Sequence, residues 1–126
     1  MRFQPEQRLR TRREFDHVFR KGQRVGGRMF LLIAVPNGRP GHRLGLAVSR
    51  KIGNAVTRNR ARRLLKESFR RLPAPGTSEE GLDLVVVVRP EIVDRTQAEV
   101  EGEFNNRIRR LDERRGDRRA PAPSPR

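Results

Sequence analysis

The seven residues Leu82 to Val88, read as Leu-Asp-Leu-Val-Val-Val-Val, limit the fold more than any other part of this chain. A run so rich in β-branched side chains loses little by being extended and gains by burial, so it predicts a buried strand. Arg89-Pro90 ends it. A helix precedes it, so the strand is expected to lie parallel to an earlier one. That earlier strand must come from two candidates. Met29 to Val35 is an apolar run of strand length closed by Pro36 and the turn-forming Asn37-Gly38, with Pro40-Gly41 following. Arg43 to Ser49 alternates large Leu44, Leu46 and Val48 with small Gly45, Ala47 and Ser49, so one face packs and the other leaves room.

Three helices complete the pattern. Thr11 and Glu14 have capping-box spacing, and Phe15, Val18 and Phe19 follow at i, i+3 and i+4 before Gly22 stops the turn. Asn54 caps a second helix that is expected to reach about Leu72, ahead of the breakers Pro73, Pro75 and Gly76. Thr96 and Glu99 repeat the capping box, and Val100, Phe104, Ile108 and Leu111 form the stripe of a third. The order is α-β-β-β-α-β-α, an α+β fold with helices packed on a small mixed four-stranded sheet. With 126 residues, one domain is expected. It spans residues 1–111, followed by a disordered basic, Pro-rich tail over 112–126, where nothing is left to bury.

The charge narrows the function. Lys+Arg number 30 against 15 Asp+Glu, a formal net charge of +15, which a compact chain carries more easily beside a polyanion. Nucleic acid fits better than a membrane surface, because no apolar run of spanning length, signal core or lipidation motif is present. A cytoplasmic location is expected. There is no Cys, and His17 and His42 stand without partners at a catalytic or metal-ligating spacing, so thiolate chemistry is excluded and a protein-based active site is hard to assemble.

The cations concentrate. Arg50, Lys51, Arg58, Arg60, Arg62, Arg63, Lys66, Arg70 and Arg71 face only one acid, Glu67, within the same segment. Like charges at i, i+4, such as Arg58 with Arg62 and Arg62 with Lys66, oppose helix formation by a few tenths of a kcal/mol per pair. A phosphate backbone would relieve them. On the helix, Ala61, Leu64, Leu65, Ser68 and Leu72 fall on the other side as a core face. Lys51-Ile52-Gly53-Asn54 adds a cationic loop ahead of a helix N-terminus, where free amides favour an anion. RNA is favoured over DNA, because no helix-turn-helix, zinc finger or zipper is present to enter a major groove. With six Phe and no Tyr or Trp, most affinity is expected from phosphate contacts.

The stretch from Arg43 to Arg70, containing Ser49-Arg-Lys-Ile-Gly-Asn-Ala-Val-Thr-Arg58-Asn59-Arg60, closely resembles the signature of the bacterial ribonuclease P protein subunit. The similarity extends upstream through Glu14-Phe15, Val18-Phe19 and Gly22. It implies a subunit that binds ribonuclease P RNA and precursor tRNA, assisting endonucleolytic removal of the 5′ leader. In that family the RNA performs hydrolysis with bound Mg²⁺. By resemblance the protein contributes no catalytic residue, no metal is held by its side chains alone, and no protein partner is expected. Arg58, Asn59, Arg60, Arg62, Arg63 and Lys66 would face the RNA, with Arg50, Lys51, Asn54 and Arg70 beside them. The implied leader cleft, between the first helix and the sheet, points to Phe15, Phe19, Leu31, Ile33 and Ser49, with Arg89 at a phosphate. Where Ile33 stands the family often carries an aromatic. The implied fold is like the second domain of ribosomal protein S5, with a left-handed β-α-β crossover that general chirality would not predict. A structural ribosomal protein or an RNA chaperone is the alternative, and a nucleoid DNA-binding protein is a third.

Overall fold

A computed structural model describes residues 7–72 and 80–119. The expected loop at Pro73 to Gly81 thus falls mostly outside the described residues, as does the end of the tail, 120–126. Helix α1 (Arg12–Lys21) leads into strands β1 (Gln23–Gly26), β2 (Phe30–Pro36) and β3 (Arg43–Ala47). A 3₁₀ turn (Arg50–Ile52) precedes α2 (Ala55–Arg70), followed by β4 (Leu82–Val88), a second 3₁₀ turn (Pro90–Ile92) and α3 (Gln97–Arg119). The expected element order is observed.

The four strands lie in the order β1-β2-β4-β3. Strand β4 is central, antiparallel to β2 and parallel to β3, so the β-branched run occupies the place where both neighbours cover its edges. Alternation divides each strand between two faces. Phe30, Leu32 and Ala34 of β2 and Leu84, Val86 and Val88 of β4 meet Leu64, Leu65 and Phe69 of α2 and Val100, Phe104 and Leu111 of α3 in the main core. The Phe30 and Phe104 rings lie 5.8 Å apart, tilted by 53°. Gln97 Nε2 donates to Ser68 Oγ at 3.2 Å, and Ser68 Oγ donates to the Leu64 carbonyl at 2.9 Å, so this buried hydroxyl is satisfied.

On the opposite face Val18, Leu9, Ile33 and Val85 form a smaller cluster, flanked by Phe15, Phe19, Leu31, Val35 and Val87. The α1 capping box forms as expected: Glu14 N–H donates to Thr11 Oγ1 at 3.1 Å and Thr11 N–H to Glu14 Oε1 at 3.0 Å. The N–H groups of Thr11 and Arg10, which donate to it, and the nearby Arg43 hold the Glu14 carboxyl below its ordinary range. Arg43 joins α1 to the sheet, donating through Nε and Nη2 to the buried Asp83 carboxylate at 2.9 and 2.7 Å and through Nη1 to Glu14 at 3.2 Å.

Helix α3 runs past Asp112, where the sequence reading begins its tail, as far as Arg119. Arg and Glu are good helix formers and need no apolar contact to extend an anchored helix by two turns.

Candidate nucleic-acid interface

The segment before α2 is shaped by its own backbone bonds. Ser49 Oγ accepts from Lys51 N–H at 3.3 Å, starting the 3₁₀ turn that exposes Arg50 and Lys51. Gly53 closes that turn at φ 148°, a conformation side-chain-bearing residues rarely adopt. Asn54 Oδ1 then accepts from Thr57 N–H at 2.9 Å, so Asn54 caps α2 and positions the cations that follow.

Helical spacing sorts those cations into two rows. Arg58, Arg62 and Lys66 recur at i, i+4 and i+8 along one side of α2. Arg62 and Lys66 line a cavity of about 200 Å³ together with Arg8, Phe15, Gly45 and Leu46. Arg60 and Arg63 lie on the other side, where Arg60 Nη2 donates to the Arg95 carbonyl at 2.6 Å and Arg63 stands exposed. Arg58 Nε donates to the Gly53 carbonyl at 3.2 Å, and Arg62 Nη1 to Asn59 Oδ1 at 2.9 Å. Among the described residues none of Arg58, Arg60, Arg62 and Arg63 is ion-paired with a carboxylate. Arg70 differs: it pairs with Glu67, which also takes Arg71 and whose carboxyl is held below its ordinary range chiefly by the Arg70 hydrogen bond. Part of Arg70's charge is therefore used within the fold.

The sheet face under α1 is only partly covered. Register aligns Leu31 with Val87 and Val87 with Ala47, all three half-exposed, and Leu31 and Val87 flank the same cluster as Phe19. Phe15 lies over Gly45, where a methyl group would come within 2.6 Å of the Phe15 ring. The small residue at 45 thus makes room for Phe15 and Leu9, whereas the sequence suggests open floor there. Ile33 is corrected as a cleft residue: it is 0% exposed, packed with Val18 and lying against Gly22, so it supports the face from beneath. Ser49 is exposed at the end of the same face, and the Arg89 guanidinium reaches toward Gly26 at the far end of the Leu31–Val87 row. Arg8 and Val87 belong to this surface and are missed by the sequence reading. Val87 is recoverable by carrying the Leu31 alternation across to β4, while Arg8 lies before the first helix, in a segment with no periodic signal.

Among the described residues no three His, Cys, Asp or Glu side chains converge as a metal site, and no helix is long and apolar enough to cross a membrane. His42 is half-buried and accepts the Leu82 N–H at Nδ1, 3.0 Å, a structural use that the sequence does not suggest.

The family described as Ribonuclease P matches residues 3–112. The chain belongs to the ribonuclease P protein family. A Clostridium botulinum ribonuclease P protein component is 36% identical over 105 residues, covering 83% of this chain and 94% of the relative. One from Shouchella clausii is 42% identical over 96 residues, 75% of this chain and 77% of that protein. Among solved structures, the ribonuclease P protein of Thermotoga maritima aligns with a TM-score of 0.71 at 32% identity, covering 82% of this chain and 96% of that one. A Staphylococcus aureus ribonuclease P protein mutant gives 0.73 at 25% identity, covering 85% and 89%. These similarities favour a ribonuclease P protein over the ribosomal-protein, chaperone and nucleoid readings.

Proposed function

We propose that this chain is the protein subunit of ribonuclease P, binding the catalytic RNA through α2 and the preceding turn and holding the 5′ leader of precursor tRNA on the half-covered sheet face. The observation that carries this reading is the sorting of the α2 cations. Arg58, Arg60, Arg62 and Arg63 stand without carboxylate partners on a helix whose opposite side is core. Such a helix carries repulsion that only an external polyanion removes.

The two rows suit two tasks. Arg60 and Arg63, with Arg50 and Lys51, offer guanidinium and ammonium groups to the RNA backbone; guanidinium forks suit bidentate phosphate contact. Arg62 and Lys66 lean toward Phe15, so they can neutralise phosphates where the RNA surface meets the leader face. On that face Phe19, Leu31, Val87 and Ala47 offer apolar area to unstacked leader bases, and Arg89 offers a cation at the end of the row. We assign hydrolysis and the Mg²⁺ that assists it to the RNA, as the family resemblance implies. The described residues do not provide a carboxylate cluster fit for that ion. The protein's contribution is then charge neutralisation and substrate positioning.

Reconstitution tests the reading. Adding the protein to ribonuclease P RNA at low Mg²⁺ should increase cleavage of precursor tRNA at the mature 5′ end. No stimulation at any protein concentration would overturn it.

A further inference from the structure

Val56, at the start of α2, is 76% exposed, and among the described residues no other large apolar side chain is so open. It borders a cavity of about 110 Å³ between α2 and the segment after β4, lined by Ile92, Val93, Arg60 and Asp94 as well. Ile92 is fully buried and closes the floor. The walls are apolar, yet the rim is charged.

Asp94 stands at that rim with φ 71°, the one non-glycine residue with a positive φ among those described, a conformation Asp tolerates better than most. Its neighbours on both sides are engaged, Val93 N–H donating to the Pro90 carbonyl and Arg95 N–H to the Ile92 carbonyl, so the loop that presents Asp94 is built. Its own carboxylate has neither a salt bridge nor a side-chain hydrogen bond among the described residues, in a chain with twice as many cations as acids. A free carboxylate beside Arg60 would repel a passing phosphate. It would, however, accept hydrogen bonds from a base edge that presents N–H donors.

We propose that this cavity takes one unpaired nucleobase of the bound RNA. Val56 and Ile92 bury its ring, the Arg60 guanidinium, fixed by the Arg95 carbonyl, stacks on it, and Asp94 reads its Watson–Crick edge. Guanine fits best, because its N1–H and N2–H form a fork that matches the two carboxylate oxygens. Adenine and cytosine offer a single amino group, and uracil sets two carbonyl oxygens against the carboxylate. The phosphates flanking the base then run along the Arg60–Arg63 row. The site rests on the reading of the chain as a ribonuclease P RNA-binding subunit and adds to it a contact that recognises a base, where the cations recognise only a backbone.

The test uses the full protein bound to ribonuclease P RNA, probed with kethoxal, which modifies guanine at N1 and N2. Wild-type protein should protect one unpaired guanine that becomes reactive again when Asp94→Asn or Val56→Ser protein is bound at saturation. Both positions are exposed, so the fold should survive either change. Each variant should weaken RNA binding about tenfold, the effect of one lost base contact, without changing the slope of log affinity against log salt. If the RNA binds and no guanine depends on Val56 and Asp94, the base pocket is wrong while the RNA-binding role stands. If the wild-type protein does not bind the RNA at all, the role itself fails.

Discussion

On one face of the sheet, α2 and α3 cover Phe30, Leu32, Leu84 and Val86 completely. On the other, the ten residues of α1 close over Ile33 and Val85 and leave Leu31 and Val87 half-exposed. The strands that supply both faces are the same, so strand composition does not decide the difference. Helix length does. A three-turn helix cannot roof a four-stranded sheet, and the uncovered rows are where a ligand gains apolar contact without unfolding anything. Residues of the closed face should govern stability, and residues of the half-covered face should govern substrate.

Phe104→Ala should give the largest loss of stability, about 3–5 kcal/mol in denaturant unfolding, because it empties the closed core against Phe30. Phe19→Ala, on the half-covered face, should lose far less, and equal losses would break the contrast between the faces. Gly45→Ala comes next. The added methyl would strike the Phe15 ring, costing about 1–3 kcal/mol and moving a residue of the proposed leader face, with wild-type-like stability as the contrary result. Arg58→Ala with Arg63→Ala should weaken binding to ribonuclease P RNA and reduce the log-log salt slope by about one to two, as lost phosphate contacts require. An unchanged slope would remove α2 from the RNA contact.

The smallest effect concerns the α1 cap. Glu14 has its carboxyl lowered from an ordinary 4.5, so the stability it contributes is present above that pH and is lost as pH falls through the lowered value. Glu14→Gln should therefore cost about 1 kcal/mol at neutral pH, with the gap to wild type closing in acid. A gap that persisted at the lowest pH would mean that Glu14 acts through something other than its charge.

Much of this is legible in the sequence. The β-branched run at Leu82, both capping boxes and the stripes of α2 and α3 are local signals, and local structure follows them. Strand β1 is harder to locate, because Gln23–Gly26 carries one apolar residue, Val25, and is held by pairing with β2. Alternation correctly puts Leu31 and Ile33 on one face but cannot say that α1 ends above Ile33 and short of Leu31. Likewise Gly45 and Ala47 read alike in sequence, and only the position of Phe15 separates them. The cationic side of α2 is evident from spacing, whereas the placing of Arg62 and Lys66 beside Phe15 and of Arg60 beside the Asp94 loop depends on tertiary packing.

The separation of anchor from substrate surface is tested most directly by the affinity of the holoenzyme for precursor tRNA relative to mature tRNA, measured for Phe19→Ala and for Arg58→Ala with Arg63→Ala at protein concentrations that saturate the RNA. Phe19→Ala should lower the ratio while leaving affinity for ribonuclease P RNA intact, and the arginine variant should do the reverse. A ratio lowered equally by both, or by the arginine variant alone, would contradict the assignment of the leader to the half-covered face.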